Sequence, residues 1–151
     1  MKTQETLEIE SALVRRTQEK IGCYGVLEVT IGHIAGGKGY DRCDYIEFDT
    51  AGLIICYEIK VTLPDLMSNN KLSYVGDKNY LVVPEELAKK LEEIDYNLGG
   101  TGLIIFNGEK LVLKKRASKK VVGIGEKAEL LEGIAKAACR DAGKYYLCKG
   151  K

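Results

Sequence analysis

The sequence predicts an α/β fold of the mixed-sheet kind, with a central β-sheet flanked by helices. Three observations carry this. Segments of helical and strand periodicity follow one another in the order α-β-β-β-α-β-α-β-β-α. The links between the first three strand segments are short, which favours antiparallel neighbours. A helical crossover then follows the three-strand meander, which suggests a mixed sheet flanked by helices.

Residues 5–21 read as an amphipathic helix, with Leu7, Leu13, Val14, Thr17 and Ile21 in one stripe. Glu10 falls near the centre of that stripe. An acid on a buried face needs a cation or a metal beside it, or a rotated helix. Gly25–Gly32 is the first strand, Arg42–Asp49 the second and Leu53–Thr62 the third, the last two joined by a tight turn around Ala51-Gly52. Thr62-Leu63-Pro64-Asp65 matches a capping box with proline in the first turn, and the helix it opens is expected to run to about Val75, before Gly76. Tyr80–Val83 is a strand, Glu85–Glu93 a helix after Pro84, and Gly102–Phe106 with Lys110–Lys115 a hairpin turning at Asn107-Gly108. Glu126–Ala142 is a final helix, with Leu130, Leu131, Ile134 and Ala138 on one side.

The chain has 151 residues, which suits one domain. No apolar run approaches the roughly 18–20 residues of a membrane span. The opening MKTQETLEIE is polar and acidic and does not read as a secretory signal. Net charge is +1 but uneven: residues 1–106 carry 11 Lys/Arg against 17 Asp/Glu, residues 107–151 carry 12 against 5. Such an acidic body with a basic final third can join a metal-binding carboxylate cluster to a phosphate-attracting surface, although solvated faces also carry such fluctuations.

Cys23, Cys43, Cys56, Cys139 and Cys148 are odd in number and contain no CxxC, so they read as reduced thiols in a cytoplasmic protein. His33 is the single histidine, which leaves little for a His-based metal site or a Ser–His–Asp triad. Nucleotide cofactors are not expected either. The run Gly32–Lys38 superficially fits a P-loop, but Gly39 replaces the hydroxyl residue and a strand follows. Gly123-Ile124-Gly125 lacks room for a βαβ unit after it.

The third strand is the informative one. Leu53, Ile55, Tyr57, Ile59 and Val61 share one face, while Ile54, Cys56, Glu58 and Lys60 share the other. Two charges therefore project from one face of a central strand. Arg42, Asp44, Ile46 and Phe48 alternate on the second strand, and a hairpin turning near Thr50–Leu53 runs Asp44 close to Glu58. Two carboxylates and an ammonium would converge there, with Glu10 as a third carboxylate. That set suits a hard cation such as Mg²⁺.

Asp44 followed by Glu58-Ile59-Lys60 resembles the motif of the PD-(D/E)XK nuclease superfamily, and the element order is similar to its αβββαβ core. The likeness covers about Leu7–Phe106, with 107–151 as a basic extension of a single domain. Within the superfamily it is nearest to MmcB-like DNA-repair proteins and short phage-type relatives. The stretches that carry this are Arg42-Cys43-Asp44, Tyr57–Thr62, Asp77–Tyr80 and Thr101–Ile105. Cys43 stands where the named proline would be, and Leu66 replaces an aromatic residue.

The resemblance implies a Mg²⁺- or Mn²⁺-dependent DNA endonuclease of repair or recombination. Asp44 and Glu58 would ligate the metal, with the Ile59 carbonyl as a further ligand. Lys60 would orient the attacking water or offset charge on the phosphate, and Glu10 would support as an outer carboxylate. Lys71 could touch a phosphate. Lys114, Lys115, Arg116, Lys119 and Lys120 could track a DNA backbone, or form a solvated end. Glu28 faces either solvent or the site. One small domain offers little surface for wrapping a duplex, so a homodimer is expected. The alternative is a non-catalytic DNA-binding or accessory module on the same fold.

Overall fold

The computed structural model describes residues 2–32, 41–68 and 74–150. Its elements follow the expected order. Helix α1 spans Gln4–Gln18 and is capped by Thr3, whose hydroxyl accepts the Thr6 N–H at 3.2 Å. It buries Ile9, Ala12, Leu13 and Thr17, and Glu10 with them. Ile21 lies beyond the helix end and is fully exposed, and Leu7 is exposed too, so the stripe is narrower than its periodicity suggested.

Strands β1 (Cys23–Ile31), β2 (Asp41–Asp49) and β3 (Ile54–Ile59) form an antiparallel meander. The β2–β3 turn is built by Asp49, whose Oδ1 accepts the N–H groups of Ala51 at 2.9 Å and Leu53 at 3.0 Å. Gly52 supplies the left-handed residue there, φ 87°. Helix α2 is one turn, Leu63–Leu66, with the Thr62 hydroxyl accepting the Asp65 N–H at 3.3 Å. The turn ends at Leu66, short of the expected Val75, and residues 69–73 of the expected helix lie outside the described residues. Only Leu66 is buried, and the Ser68 hydroxyl takes the Asp65 carbonyl at 2.8 Å, so neither packing nor the backbone extends the turn.

Strand β4 (Lys78–Pro84), helix α3 (Glu85–Glu93), strands β5 (Gly102–Phe106) and β6 (Leu111–Lys115) and helix α4 (Ile124–Cys148) complete the chain. The six strands lie in sequence order in one mixed sheet. The β3–β4 and β4–β5 pairs are parallel, and the other pairs are antiparallel.

Helix α1 covers one face, over Tyr45, Tyr57, Tyr80, Val82 and Ile104. The opposite face carries two clusters. Residues Leu130, Ile134 and Ala137 of α4 pack on Val26, Val29, Ile46, Ile54 and Cys56. Leu66 of α2 and Leu87 and Leu91 of α3 pack on Leu81, Val83 and Leu103. Glu58 follows Cys56 on β3 and pairs in register with Leu81, so it sits on the seam between these two clusters.

The segment after Phe106 is integral to this packing, since it supplies β6 and the α4 cover. The buried stripe of α4 is Leu130, Gly133, Ile134 and Ala137; Leu131 and Ala138 are exposed. Gly133 sets this phase. A Cβ there would lie 2.6 Å from the Thr30 carbonyl oxygen, so only glycine lets the helix approach β1 so closely. No helix among the described residues is long and apolar enough to cross a membrane.

Candidate functional site

Asp44 and the segment Glu58-Ile59-Lys60 meet where β2 and β3 part. The ladder between the strands ends at the pair Tyr45–Tyr57. One step further, Asp44 Oδ2 accepts the Ile59 N–H at 2.8 Å. A side chain thus takes the place of the next ladder bond and holds Asp44 against the Glu58–Ile59 peptide.

Asp44 can do this because the sheet is irregular at its register. Leu27 pairs with Tyr45 and Val29 with Cys43, leaving Glu28 opposite Asp44. Leu27 and Tyr45 pack on the α1 face, whereas Val29 and Cys43 pack on the α4 face. Residues two apart should share a face. Both strands therefore skip one alternation at the same register, and the pairing frame is kept. Glu28 marks the spot with φ 55°, a left-handed conformation that glutamate rarely adopts. The expectation that Arg42, Asp44, Ile46 and Phe48 simply alternate is corrected here.

Glu58 is buried, 4% exposed. Its negative charge acts on its neighbours. The Cys56 thiol, then burial, push the Cys43 thiol well up, and Glu58 adds to this. Burial first, with Tyr96 and Glu58 adding to it and a hydrogen bond with Thr101 opposing it, pushes the Tyr74 phenol up to about 12. Cys43 is thus a protonated, unreactive thiol at neutral pH that fills space in the core.

Lys60 begins the segment after β3, and its N–H donates to the Val82 carbonyl at 3.1 Å. Its side chain is 12% exposed, and its ammonium lies 3.7 Å from Asp65 Oδ1 on α2. The carboxylate that the capping-box reading assigned to the helix start thus faces the lysine instead.

Glu10 is buried on α1, as its place in the apolar stripe required, and its partner is a cation: Lys2 donates to it. The same ammonium pairs with Glu28, which also accepts from Arg42 Nη2 at 2.6 Å. Burial works against the Lys2 charge, yet the two carboxylates outweigh it and hold its pKa above the usual lysine value. Lys2, then Arg42, hold Glu28 below the usual carboxylate range. Glu28 therefore faces this ion network. Helix α1 covers the face opposite that of Glu58, and no group of three His, Cys, Asp or Glu side chains able to hold a metal forms among the described residues. The three-carboxylate cluster expected from the sequence is therefore not assembled. Asp44 meets the Glu58–Ile59 peptide, and Glu10 belongs to the Lys2 network.

The basic segment divides in two. Lys115 donates to the Gly99 carbonyl and Lys120 to the Tyr74 carbonyl, while the Lys120 N–H donates to Asp77 O at 2.8 Å. These two lysines tie loops together. Lys114, Arg116 and Lys119 are exposed. Lys71 lies outside the described residues, as do His33 and the Gly36–Lys38 run.

Sequence reasoning missed several polar residues. Arg140 of α4 donates to the carbonyls of Glu28 at 2.9 Å and Leu27 at 2.8 Å. Asp77 bridges β3, accepting the Ile54 N–H at 2.8 Å. Under α1, the Thr17 hydroxyl lies 2.6 Å from Glu47 Oε2 and accepts from Tyr45 Oη at 2.8 Å, and Lys20 reaches Glu47 at 3.3 Å. Arg16 Nη2 donates to Tyr57 Oη at 3.0 Å, with its guanidinium 5.6 Å from the ring centre. The one available signal was Thr17, a hydroxyl placed in an apolar stripe.

No protein-family model and no curated protein matches the chain. Among solved structures, the SPO1766 protein of unknown function from Silicibacter pomeroyi is similar, with a TM-score of 0.76 at 17% sequence identity. The match covers 100% of this chain and 97% of that one. At this identity the likeness concerns the fold alone.

Proposed function

We propose that the chain is a Mg²⁺- or Mn²⁺-dependent DNA endonuclease that hydrolyses phosphodiester bonds in repair or recombination, acting on branched or single-stranded DNA. The observation that carries the reading is the meeting of Asp44 with the Glu58-Ile59-Lys60 segment at the parting of β2 and β3, fixed by the 2.8 Å bond from the Ile59 N–H to Asp44 Oδ2. The donor types fit the cation. Two carboxylates and the Ile59 carbonyl are hard oxygen donors, and Mg²⁺ commonly takes one or two carboxylates and keeps waters elsewhere.

When bound, the metal would lower the pKa of a water and polarise a phosphate oxygen. The chain's own groups do the rest. Asp44 uses Oδ2 to hold the Ile59 amide, which leaves Oδ1 as the ligating oxygen. Glu58 supplies the second carboxylate from the floor of the seam. Lys60 orients the attacking water or offsets charge on the phosphate, exchanging its loose contact with Asp65 for the substrate. Glu10 stays in the Lys2 network on the α1 side and takes no part in the chemistry. Lys114, Arg116 and Lys119, all exposed, meet the DNA backbone. A homodimer in the cytoplasm completes the proposal, since two such sites could cut two strands.

A second reading keeps the fold and the DNA but not the chemistry: an accessory or binding module. Two observations favour it. No three-ligand metal group forms among the described residues, and Lys60 already has Asp65 beside it. Cleavage of a panel of branched, single-stranded and duplex DNAs with Mg²⁺ or Mn²⁺ separates the two. The nuclease reading expects cleavage that disappears in Lys60→Ala and Glu58→Ala while DNA binding persists. A folded wild-type protein that cleaves nothing in the panel would sink it in favour of the module.

A further inference from the structure

We infer that Arg140 and the kink at Glu28 form a positioning device for Asp44. Its consequence for cleavage rests on the nuclease reading; the placement of Asp44 does not.

In a regular strand the side chain of residue 44 would stand perpendicular to the sheet. A carboxylate there does not reach the backbone N–H of the next strand. Asp44 Oδ2 nevertheless lies 2.8 Å from the Ile59 nitrogen. It gets there at the register where both β1 and β2 skip an alternation. The cause is legible on β1. Glu28 has φ 55°, which disfavours any side chain other than glycine and needs compensation from its surroundings.

Arg140 provides that compensation. Its Nη1 donates to the Glu28 carbonyl at 2.9 Å and its Nη2 to the Leu27 carbonyl at 2.8 Å, one fork on the two carbonyls of the kink. Its Nε donates to Asp141 Oδ1 at 3.0 Å, which fixes the guanidinium plane. Gly133 seats α4 against Thr30 and brings Arg140 within reach. The Glu28 side chain is held in turn by Lys2 and by Arg42, two residues before Asp44 on β2. A contact from the last helix thus sets the shape of the first strand, and that shape aims Asp44.

The test reads the Ile59 amide by NMR hydrogen exchange, which needs neither metal nor substrate. In Arg140→Ala, Ile59 should exchange roughly tenfold faster or more, relative to Leu81 on β4. Arg140→Lys should recover part of the protection, because an ammonium lacks the planar fork. Glu28→Gly added to Arg140→Ala should restore it, since glycine adopts the kink without strain. Equal protection of Ile59 in folded Arg140→Ala overturns the proposal, and so does acceleration shared equally by Leu81. Should Arg140→Ala not fold, the Lys variant and the Gly double variant carry the same comparison. An Ile59 response in a protein that cleaves no DNA leaves the positioning intact and removes the nuclease reading. Wild-type cleavage with an unresponsive Ile59 does the reverse.

Discussion

Asp44 and Ile59 are joined by a bond that a β-ladder would ordinarily supply from the backbone: Asp44 Oδ2 accepts the Ile59 N–H at 2.8 Å. The carboxylate therefore ends the sheet locally as well as facing the site. A buried N–H left without a partner is costly, so Asp44 carries a structural load that is separate from any chemistry.

Two substitutions separate those roles. Asp44→Asn keeps an oxygen for the Ile59 N–H and should cost little stability. Asp44→Ala orphans that N–H and should cost about 1–3 kcal/mol in urea unfolding. Under the nuclease reading both variants lose metal-dependent cleavage. Equal stability of the two would show that the bond contributes nothing to folding.

The network beneath α1 makes a second measurement. Thr17 sits 2.6 Å from Glu47 and accepts from Tyr45, and both Thr17 and Glu47 are buried. Thr17→Val is nearly isosteric and removes both bonds. It should lose about 2–3 kcal/mol, because a buried charge loses a hydrogen bond and a phenol loses its acceptor. Glu47→Gln should cost less, since an amide keeps an acceptor for Thr17. Denaturation midpoints that rank the two the other way would contradict this account.

Much of the fold was legible because alternation and helical stripes respond directly to burial. The three-strand meander, the crossover and Glu10 as a buried acid in need of a partner followed from that, but not whether a cation or a metal would meet it. What was missed depends on contacts that periodicity does not encode. Gly133 adds nothing to an apolar stripe, yet it sets the phase of α4 by close approach to Thr30. Arg140 looks like a solvated helix residue until the kink at Glu28 presents two carbonyls to it. Glu47 has the composition of an outward-facing strand residue and is buried only because Thr17 and Lys20 reach it. Lys115 and Lys120 read the same in sequence whether tied to carbonyls or free for DNA.

The Lys2–Glu28 pair predicts two pH limits. The folded pKa of Glu28 lies below its ordinary 4.5, chiefly through its hydrogen bond with Lys2. Its stabilisation is therefore present above pH 4.5 and is lost as pH falls through the lowered value. Lys2 is raised above 10.5 despite burial, so its contribution is complete below pH 10.5 and fades as pH rises through the raised value. The Glu28 side chain is 31% exposed, so the effect is modest. Unfolding midpoints from about pH 2 to about pH 6, and an NMR titration of the Glu28 carboxyl, test the acid limit. Glu28→Gln should flatten the acid slope there; an unchanged slope would assign it to other carboxylates.

The divided basic segment gives the last prediction. Lys114, Arg116, Lys119 and Lys120 are all exposed, but Lys120 also holds the Tyr74 carbonyl and, through its N–H, the Asp77 carbonyl. Under the proposed DNA-binding reading, replacing the first three by alanine should weaken binding and reduce the slope of log affinity against log salt by roughly 2–3, since each phosphate left unneutralised takes about 0.7–0.9 from it. Stability should stay within about 0.5 kcal/mol, as for ordinary surface changes. Lys120→Met should behave in the opposite way. It releases the segment leading into β4, beside the Tyr74 phenol that feels the charge of Glu58, and should cost about 1 kcal/mol while leaving the salt slope unchanged. Salt-titrated binding of a single-stranded DNA by both variants, beside their melting curves, decides the matter. A salt slope that falls as much in Lys120→Met as in the triple variant would mean that Lys120 meets phosphate and that its tie to Tyr74 yields to DNA.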